Sequence, residues 1–302
     1  MKKIAVIILN YNDLINTRAC LLSLEKSEKT KFTVETIVVD NASSVSPLIL
    51  KREFPEITLI QNSTNFGFAE GNNTGIREAL RRGADFVFIL NNDTILDPKC
   101  LISLFDAYIK LPIPGILGPK IYFYPGREYH IDRYQKKEWG KIIWYAGGVI
   151  DWANVLPSHR GVDEVDKGQY DVLTKTQFIS GCAMFAGQRL FEKVGLFDKR
   201  LYLYYEDLDL CKRAEKKGCG LWYVPEATVW HKNAGTTGGS GSDLQSYYMT
   251  RNRLLIGMRY APWKSKLALF REASKMIVQG TKSQKQAIGD FLRRRYGKRK
   301  TN

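Results

Sequence analysis

Residues 86–93 read Phe86-Val87-Phe88-Ile89-Leu90-Asn91-Asn92-Asp93: five apolar or aromatic positions run straight into two amides and a carboxylate. A short run rich in β-branched and aromatic side chains predicts a buried strand, and its polar end then opens at the carboxyl edge of a sheet, where α/β folds bind ligands. Asp93 is placed there like a ligand for a hard cation that bridges to the phosphate oxygens of a nucleotide diphosphate. Asn and Asp also populate turns after strands, so the tripeptide alone fits a plain turn equally well.

Outward from this stretch, Ile4–Leu9, Val34–Val39 and Ile57–Gln61 repeat the strand pattern, separated by segments long enough for helices. That alternation predicts βαβ units and a mostly parallel sheet within the first 120 residues. Asp97-Pro98 predicts a helix start, with the helix running to about Lys110. From Ile121 to about Thr176 the composition shifts to Tyr, Trp, Gly and charge, with Ile142–Ile150 and Tyr170–Leu173 strand-like, as expected of an inserted hairpin region walling a site. Beyond it, Gln177–Ala186 reads as a buried strand, Glu206–Lys217 as a helix stopped by Gly218, and Leu221–Val224 and Thr228–His231 as two short strands. Gly235–Gly241 reads as a flexible loop.

The chain has 302 residues, 44% of them apolar, enough for one large core. Its five cysteines are scattered without a CxxC pair, which predicts neither a disulfide framework nor a zinc site and fits a cytoplasmic setting. The apolar run after Met1-Lys2-Lys3 is cut off by Asn10 to Asp13, too early for a signal peptide, and no stretch approaches the roughly 20 apolar residues of a membrane span. The net charge of +15 is concentrated at the end: residues 260–302 hold twelve Lys or Arg against Glu272 and Asp290. There Trp263, Leu267, Leu269, Phe270, Met276, Ile277 and Val278 alternate with Lys264, Lys266, Arg271 and Lys275, a spacing expected of an amphipathic helix on an anionic membrane surface. A solvated terminal helix and a nucleic-acid patch are the competing readings. No finger, helix-turn-helix or aromatic-interleaved sheet face accompanies the charge, so nucleic acid is not the expected partner.

Several constellations carry chemistry. Asp40 ends the second strand as Asp93 ends the fourth, and an acid at such a strand end suits a ribose hydroxyl or a base N–H. Asn65 to Asn73 (NFGFAEGNN) offers glycines for close backbone approach and amides for a nucleoside, or a turn capping a helix. Leu201–Leu210 (LYLYYEDLDL) sets Glu206, Asp207 and Asp209 behind an aromatic run in the first turn of a helix. Acids there complement the helix dipole; a carboxylate walled by rings would also have a raised pKa suited to a general base. His231 ends a strand and is placed to complete a metal site with Asp93, or simply to pack. Arg251 and Arg253 follow the glycine-rich loop, as a diphosphate clamp or a solvated helix face.

In order along the chain, Asn10-Tyr11-Asn12, Val39-Asp40-Asn41, Asn65–Asn73, Asn91-Asn92-Asp93, Ile179-Ser180-Gly181-Cys182, Glu206-Asp207 and His231 resemble an inverting family 2 glycosyltransferase of the A-type, Rossmann-like fold, from about Ile4 to Arg253. WYAGGVID (144–151), HRG (159–161) and GQYD (168–171) resemble the bacterial rhamnosyltransferase-like branch, which typically uses dTDP-rhamnose and builds cell-surface polysaccharide.

Together with the charge pattern of residues 260–302, which lies beyond the resemblance, it implies an α/β fold, a mostly parallel sheet with helices on both faces, plus a basic C-terminal helical tail. It divides the chain into a nucleotide-sugar-binding half (1–120), an acceptor-side half with the insertion (121–258) and basic amphipathic helices (259–302). Asn10, Asn12, Asp40, Asn65, Gly67, Asn72, Asn92, Gly181 and Arg251 would bind the donor; Asp93 and His231 would hold Mg2+ or Mn2+; Asp207 would be the base, with Glu206 shaping its setting. The family's acidic triplet often begins with a second Asp where this chain has Asn91, so the ion is expected to bind together with the donor. The implied partners are a nucleotide-diphosphate sugar, a saccharide or lipid-linked saccharide acceptor, and the inner face of the cell membrane. A UDP-hexose donor is the alternative; a nucleotidyltransferase would carry a glycine-rich, basic loop after the first strand, which Asn10-Tyr11-Asn12-Asp13 does not supply.

Overall fold

The computed structural model describes residues 1–233 and 242–300, so the Gly235–Gly241 loop lies outside the described residues. Strands β1 (Lys2–Asn10), β2 (Phe32–Asp40), β3 (Thr58–Gln61) and β4 (Phe86–Asn91) alternate with helices α1 (Leu14–Glu25), α2 (Leu48–Glu53) and α3 (Gly67–Arg81). After β5 (Thr94–Leu96) come α4 (Cys100–Lys110), β6 (Ile116–Phe123), β7 (Ile143–Tyr145), β8 (Gly148–Asp151), β9 (Leu156–His159) and β10 (Thr174–Lys175). The chain continues through β11 (Ala183–Gly187), α5 (Gln188–Val194), α6 (Glu206–Lys216) and β12 (Leu221–His231), and ends in α7 (Asp243–Tyr260), α8 (Trp263–Gln279) and α9 (Lys282–Leu292).

The expected α/β architecture is present. One sheet runs β10-β12-β6-β11-β4-β1-β2-β3, with β5 beside β12 and β7 beside β6. The β3-β2-β1-β4 block is parallel throughout, and β6 and β12 are parallel to each other; β11 joins the two blocks antiparallel. The parallel block is buried because helices cover it, and its strands accordingly read as continuous apolar runs. From Phe86 to Leu90 every residue of β4 is buried, and Phe86 stacks on Phe185 of β11 at 5.4 Å between centroids. Truncating such a ring costs about 3–5 kcal/mol.

Where the structure departs from the sequence reading, tertiary pairing is the reason. Leu221–Val224 and Thr228–His231 are one strand, β12, whose register along β6 shifts between Val224 and Thr228, around Pro225. The predicted strand Gln177–Ala186 is extended only from Ala183, because Ser180-Gly181-Cys182 turns at the cleft floor. Tyr170–Leu173 is not a strand; Thr174 and Lys175 pair with β12 instead. Asp97 does not cap α4 directly: its Oδ1 accepts from the Lys99 N–H at 2.8 Å, and the helix begins at Cys100.

The insertion is pinned to the sheet from below. Lys120 on β6, its side chain nearly inaccessible, donates to Asp166 at 2.7 Å and also to Asp171, and the Tyr122 hydroxyl donates to the same Asp166. A buried ammonium needs such partners, and they fix the strap that carries the cleft wall.

Candidate active site

Asp93 and His231 meet because of strand order. Past β4 the chain turns at Asn92-Asp93 and re-enters the sheet as β5, which pairs antiparallel with the end of β12 and sets Thr94 opposite His231. The Lys232 N–H donates to the Asp93 carbonyl at 2.8 Å, closing the turn. His231 Nε2 then lies 3.1 Å from Asp93 Oδ1, with the two residues 6% and 9% exposed. Trp144 of β7 meets the His231 ring edge to face at 4.6 Å and the His159 ring at 4.3 Å. Burial pushes the His159 pKa down to about 4, so at neutral pH its Nδ1–H donates to the Trp144 carbonyl at 3.0 Å as part of a neutral ring.

The spacing of this pair suits a hard divalent cation. Two donors at about 2.1 Å from an octahedral ion stand about 3.0 Å apart, close to the separation found. No cluster of three or more His, Cys, Asp or Glu suited to a metal occurs among the described residues, so the remaining ligands would come from water and substrate oxygens.

Across the cleft, Tyr202, Tyr204 and Tyr205 all take left-handed backbone angles (φ 65°, 68° and 70°) and lead into α6. Three non-glycine residues there represent stored strain of the kind found at functional sites. The turn separates the acids of α6. Asp209 points inward, with Arg213 and Arg259 each at 2.8 Å and the Tyr260 hydroxyl donating at 2.8 Å, a structural ion cluster. Glu206 and Asp207 line the cleft and have no cationic partner among the described residues. Asp207 Oδ2 accepts from the Gly181 N–H at 2.9 Å and Oδ1 from the Leu208 N–H at 2.7 Å. Burial raises the Asp207 pKa, and those N–H groups pull the other way. Burial, then the neighbouring Asp207, push Glu206 well above the carboxylate range, and Glu206 Oε2 is buried without a hydrogen-bond partner. A carboxylate with a raised pKa and free access to a cleft can accept a proton near neutral pH.

The amide-rich turns lock together at the sheet edge. Register sets Asn10 beside Asp40, and Asn10 Nδ2 donates to Asp40 Oδ1 at 2.6 Å while Ser43 donates its hydroxyl and N–H to the same carboxylate. Asn12 Oδ1 accepts from Ser44. Asn41 Nδ2 donates to Asn65 Oδ1 at 3.0 Å, which also accepts from the Gly67 N–H and the Tyr202 hydroxyl. Gly67 has φ +77°, and a Cβ there would sit 2.5 Å from the Tyr202 carbonyl, so glycine is required.

One cleft of about 1040 Å³ collects Asn65, Gly67, Asn92, Asp93, Gly181, Glu206, Asp207 and His231. Asn10, Asn12 and Asp40 sit beside it in the network just described, with Asn10 and Asp40 buried. Two candidates fall elsewhere. Asn72 is buried in α3 and donates to the Phe68 carbonyl at 2.9 Å. Arg251 is fully buried, with its guanidinium donating to the carbonyls of Gly297 (2.7 Å), Leu201 (3.0 Å) and Arg200 (3.1 Å), so the diphosphate-clamp reading of Arg251 is corrected: it ties α7 to the tyrosine turn and the C-terminal strap. Arg253 is likewise engaged, by Glu272 at 2.7 and 2.8 Å. Sequence reasoning missed Tyr11, Phe68, Trp144, His159, Asp163 and Gln245 in the cleft wall. Tyr11 and Phe68 lay inside the Asn10-Tyr11-Asn12 and Asn65–Asn73 motifs without a role of their own, and Trp144 and His159 inside the WYAGGVID and HRG pattern of the insertion.

The sequence profile described as Glycosyl transferase family 2 matches residues 5–189, more than half of the chain. The chain belongs to glycosyl transferase family 2. Among curated relatives of this glycosyltransferase, the N-acetylglucosaminyl-diphospho-decaprenol L-rhamnosyltransferase of Mycobacterium tuberculosis is 24% identical over 255 residues, covering 78% of each chain. The dTDP-rhamnosyl transferase RfbF of Shigella flexneri is 24% identical over 262 residues, 84% of this chain and 79% of that one. Among solved structures, GalNAc-T7 with UDP, GalNAc and Mn2+ superposes with a TM-score of 0.68 at 16% identity, over 97% of this glycosyltransferase but 56% of that chain. The mannosyltransferase PcManGT from Pyrobaculum calidifontis, in complex with GDP-Man and Mn2+, gives 0.54 at 16% identity over 96% and 74%. At that identity the likeness is one of fold.

Proposed function

We propose that this family 2 glycosyltransferase moves a sugar, rhamnose from dTDP-rhamnose, with inversion onto a glycan or lipid-linked saccharide during cell-surface polysaccharide synthesis. The observation that carries the reading is the convergence of Asp93, Asp207 and His231 on a single cleft. Its volume suits a nucleotide sugar together with the end of an acceptor.

In this reading Asn65, Gly67, Asn92 and Gly181 contact the donor directly, and the Asn10, Asn12 and Asp40 network shapes the nucleoside end. Asp93 and His231 hold Mg2+ or Mn2+, which when bound offsets the charge that builds on the leaving diphosphate. Asp207 takes the proton of the acceptor hydroxyl. That oxygen attacks the anomeric carbon from the face opposite the diphosphate, the carbon–oxygen bond to the diphosphate breaks with its electron pair, and the configuration inverts. Glu206, whose pKa burial raises well above the carboxylate range, resists carrying a second negative charge beside Asp207. The rhamnose assignment is supported by the two rhamnosyltransferase relatives and by the insertion pattern around Trp144 and His159.

No helix among the described residues is long and apolar enough to cross a membrane. We place the enzyme peripherally on the inner membrane face through its C-terminal helices, where a lipid-linked acceptor would be presented. The test is a thermal-shift panel of dTDP-rhamnose, UDP-glucose, UDP-galactose, UDP-N-acetylglucosamine and GDP-mannose, with and without Mn2+. The reading expects the largest shift from dTDP-rhamnose with metal. A larger shift from a UDP-hexose would replace the donor assignment.

A further inference from the structure

We infer that the outward stripe of α8 is a docking surface for an anionic lipid bilayer, which specifies the face by which the proposed peripheral seating occurs and rests on that reading. Helix α8 is apolar on two separate sides. Ser265, Leu269 and Ala273 are buried and Met276 half-buried, all facing the rest of the fold. Trp263, Leu267, Phe270, Ile277 and Val278 are exposed, at 67, 54, 45, 49 and 72%. With 3.6 residues per turn these five fall within an arc of about 100°, the width of a membrane-facing stripe.

Charge identifies what covers it. Lys264, Arg271 and Lys275 are exposed along one flank of the stripe, and half-buried Lys266 lies on the other. The one acid of α8, Glu272, is held by Arg253 and so adds no free negative charge. An apolar stripe between cationic flanks complements anionic headgroups over acyl chains. A second copy of the chain would instead bring these cations against one another. The terminal strap is a poorer anchor than its basic sequence implies, because Arg299 folds back over the Tyr247 ring at 4.7 Å and donates to Gln286.

The placement also relates the surface to the cleft. Arg253 pairs with Glu272, while Gly257 abuts Leu269, so α8 runs antiparallel to α7. Its Ile277–Val278 end therefore lies near Met249 and Thr250, which share a small cavity with Met276. Gln245, in the first turn of α7, lines the cleft. Five helical residues span about 8 Å. A bilayer beneath α8 would thus bring lipid-borne acceptors to the cleft mouth.

The experiment is co-sedimentation of the full chain with phosphatidylcholine vesicles with and without phosphatidylglycerol. Wild type should sediment with the anionic vesicles; the double variant Trp263→Ser with Phe270→Ser, and separately the triple variant Lys264→Gln, Arg271→Gln, Lys275→Gln, should each lose about 10-fold or more of that partition. Both variants alter exposed side chains and should retain the donor-induced thermal shift, which reads the catalytic proposal independently. Unchanged sedimentation of both variants overturns the inference, as does a wild-type dimer that the Trp263 and Phe270 substitutions split while vesicles bind neither form.

Discussion

The Gly181 N–H donates to Asp207 Oδ2 at 2.9 Å, which aims the carboxylate of the α6 first turn at the floor of the cleft from a loop that precedes it in the chain. The contact holds the carboxylate in place without neutralising it, and burial raises its pKa. Asp207→Asn keeps the shape and removes the proton acceptor. Turnover should fall by about 10² to 10⁴ with donor affinity nearly intact, since a general base acts chiefly in the transition state. Because the ionised form is active and its pKa is raised, wild-type kcat/KM should begin to fall at a higher pH than an ordinary carboxylate would give. Steady-state rates across pH, with calorimetric donor titration, check both; wild-type turnover in the variant excludes Asp207 as the base.

Asp93→Ala and His231→Ala should each make donor binding insensitive to Mg2+ or Mn2+. Removing one of two protein ligands should cost more in metal-dependent affinity than the roughly 10- to 100-fold lost with an outer-shell partner. Isothermal titration of the donor with metal and with chelator reads the difference. Equal metal enhancement in wild type and Asp93→Ala would remove the metal role.

Glu206 makes a prediction about stability. Its pKa is raised in the fold, so its contribution is favourable only where it is protonated in both states, below its ordinary value near 4.3, and declines as pH rises from there toward the raised folded value. Glu206→Gln should therefore melt at about the wild-type temperature near pH 4 and above it near pH 8. A gap between the two melting curves that does not widen with pH would show that burial of this carboxyl carries no electrostatic cost.

Arg251→Met separates structure from binding. The variant removes three charge-assisted hydrogen bonds, although the Arg200 carbonyl keeps the Gly297 N–H and the Leu201 carbonyl keeps Asn252 and the Leu203 N–H, and should lose about 3 kcal/mol or more, read by denaturant unfolding. Donor affinity of the folded fraction should stay within a few-fold of wild type. A selective loss of donor affinity at unchanged stability would restore the clamp.

The residues that were legible in the sequence are those whose position follows from strand period alone. Asn91 to Asp93 and Asp40 stand at strand ends because the apolar runs before them are long and uninterrupted, and parallel pairing then lines those ends along one edge. His231 was placed by the same logic, although its strand is a single long one bent at Pro225. Arg251 was misread because a helical arginine near a glycine-rich loop gives no sign of whether carbonyls or solvent await it. The cleft wall was the least legible: Trp144 and His159 sit on short strands of three and four residues, positioned by the pairing of β7 with β6 and of β9 with β8 and by the bond between His159 and the Trp144 carbonyl. The tail was read as one amphipathic stripe, whereas packing on α7 turns Leu269 inward and leaves Trp263, Leu267 and Phe270 outside.

The central claim is that an acceptor hydroxyl deprotonated by Asp207 attacks opposite a diphosphate held near Asp93 and His231. The measurement that tests it most directly is the anomeric configuration, by NMR coupling constants, of the sugar transferred from its nucleotide donor by wild-type enzyme with metal. The expected product has the configuration opposite to that of the donor; a product that keeps the donor's configuration rules out single displacement.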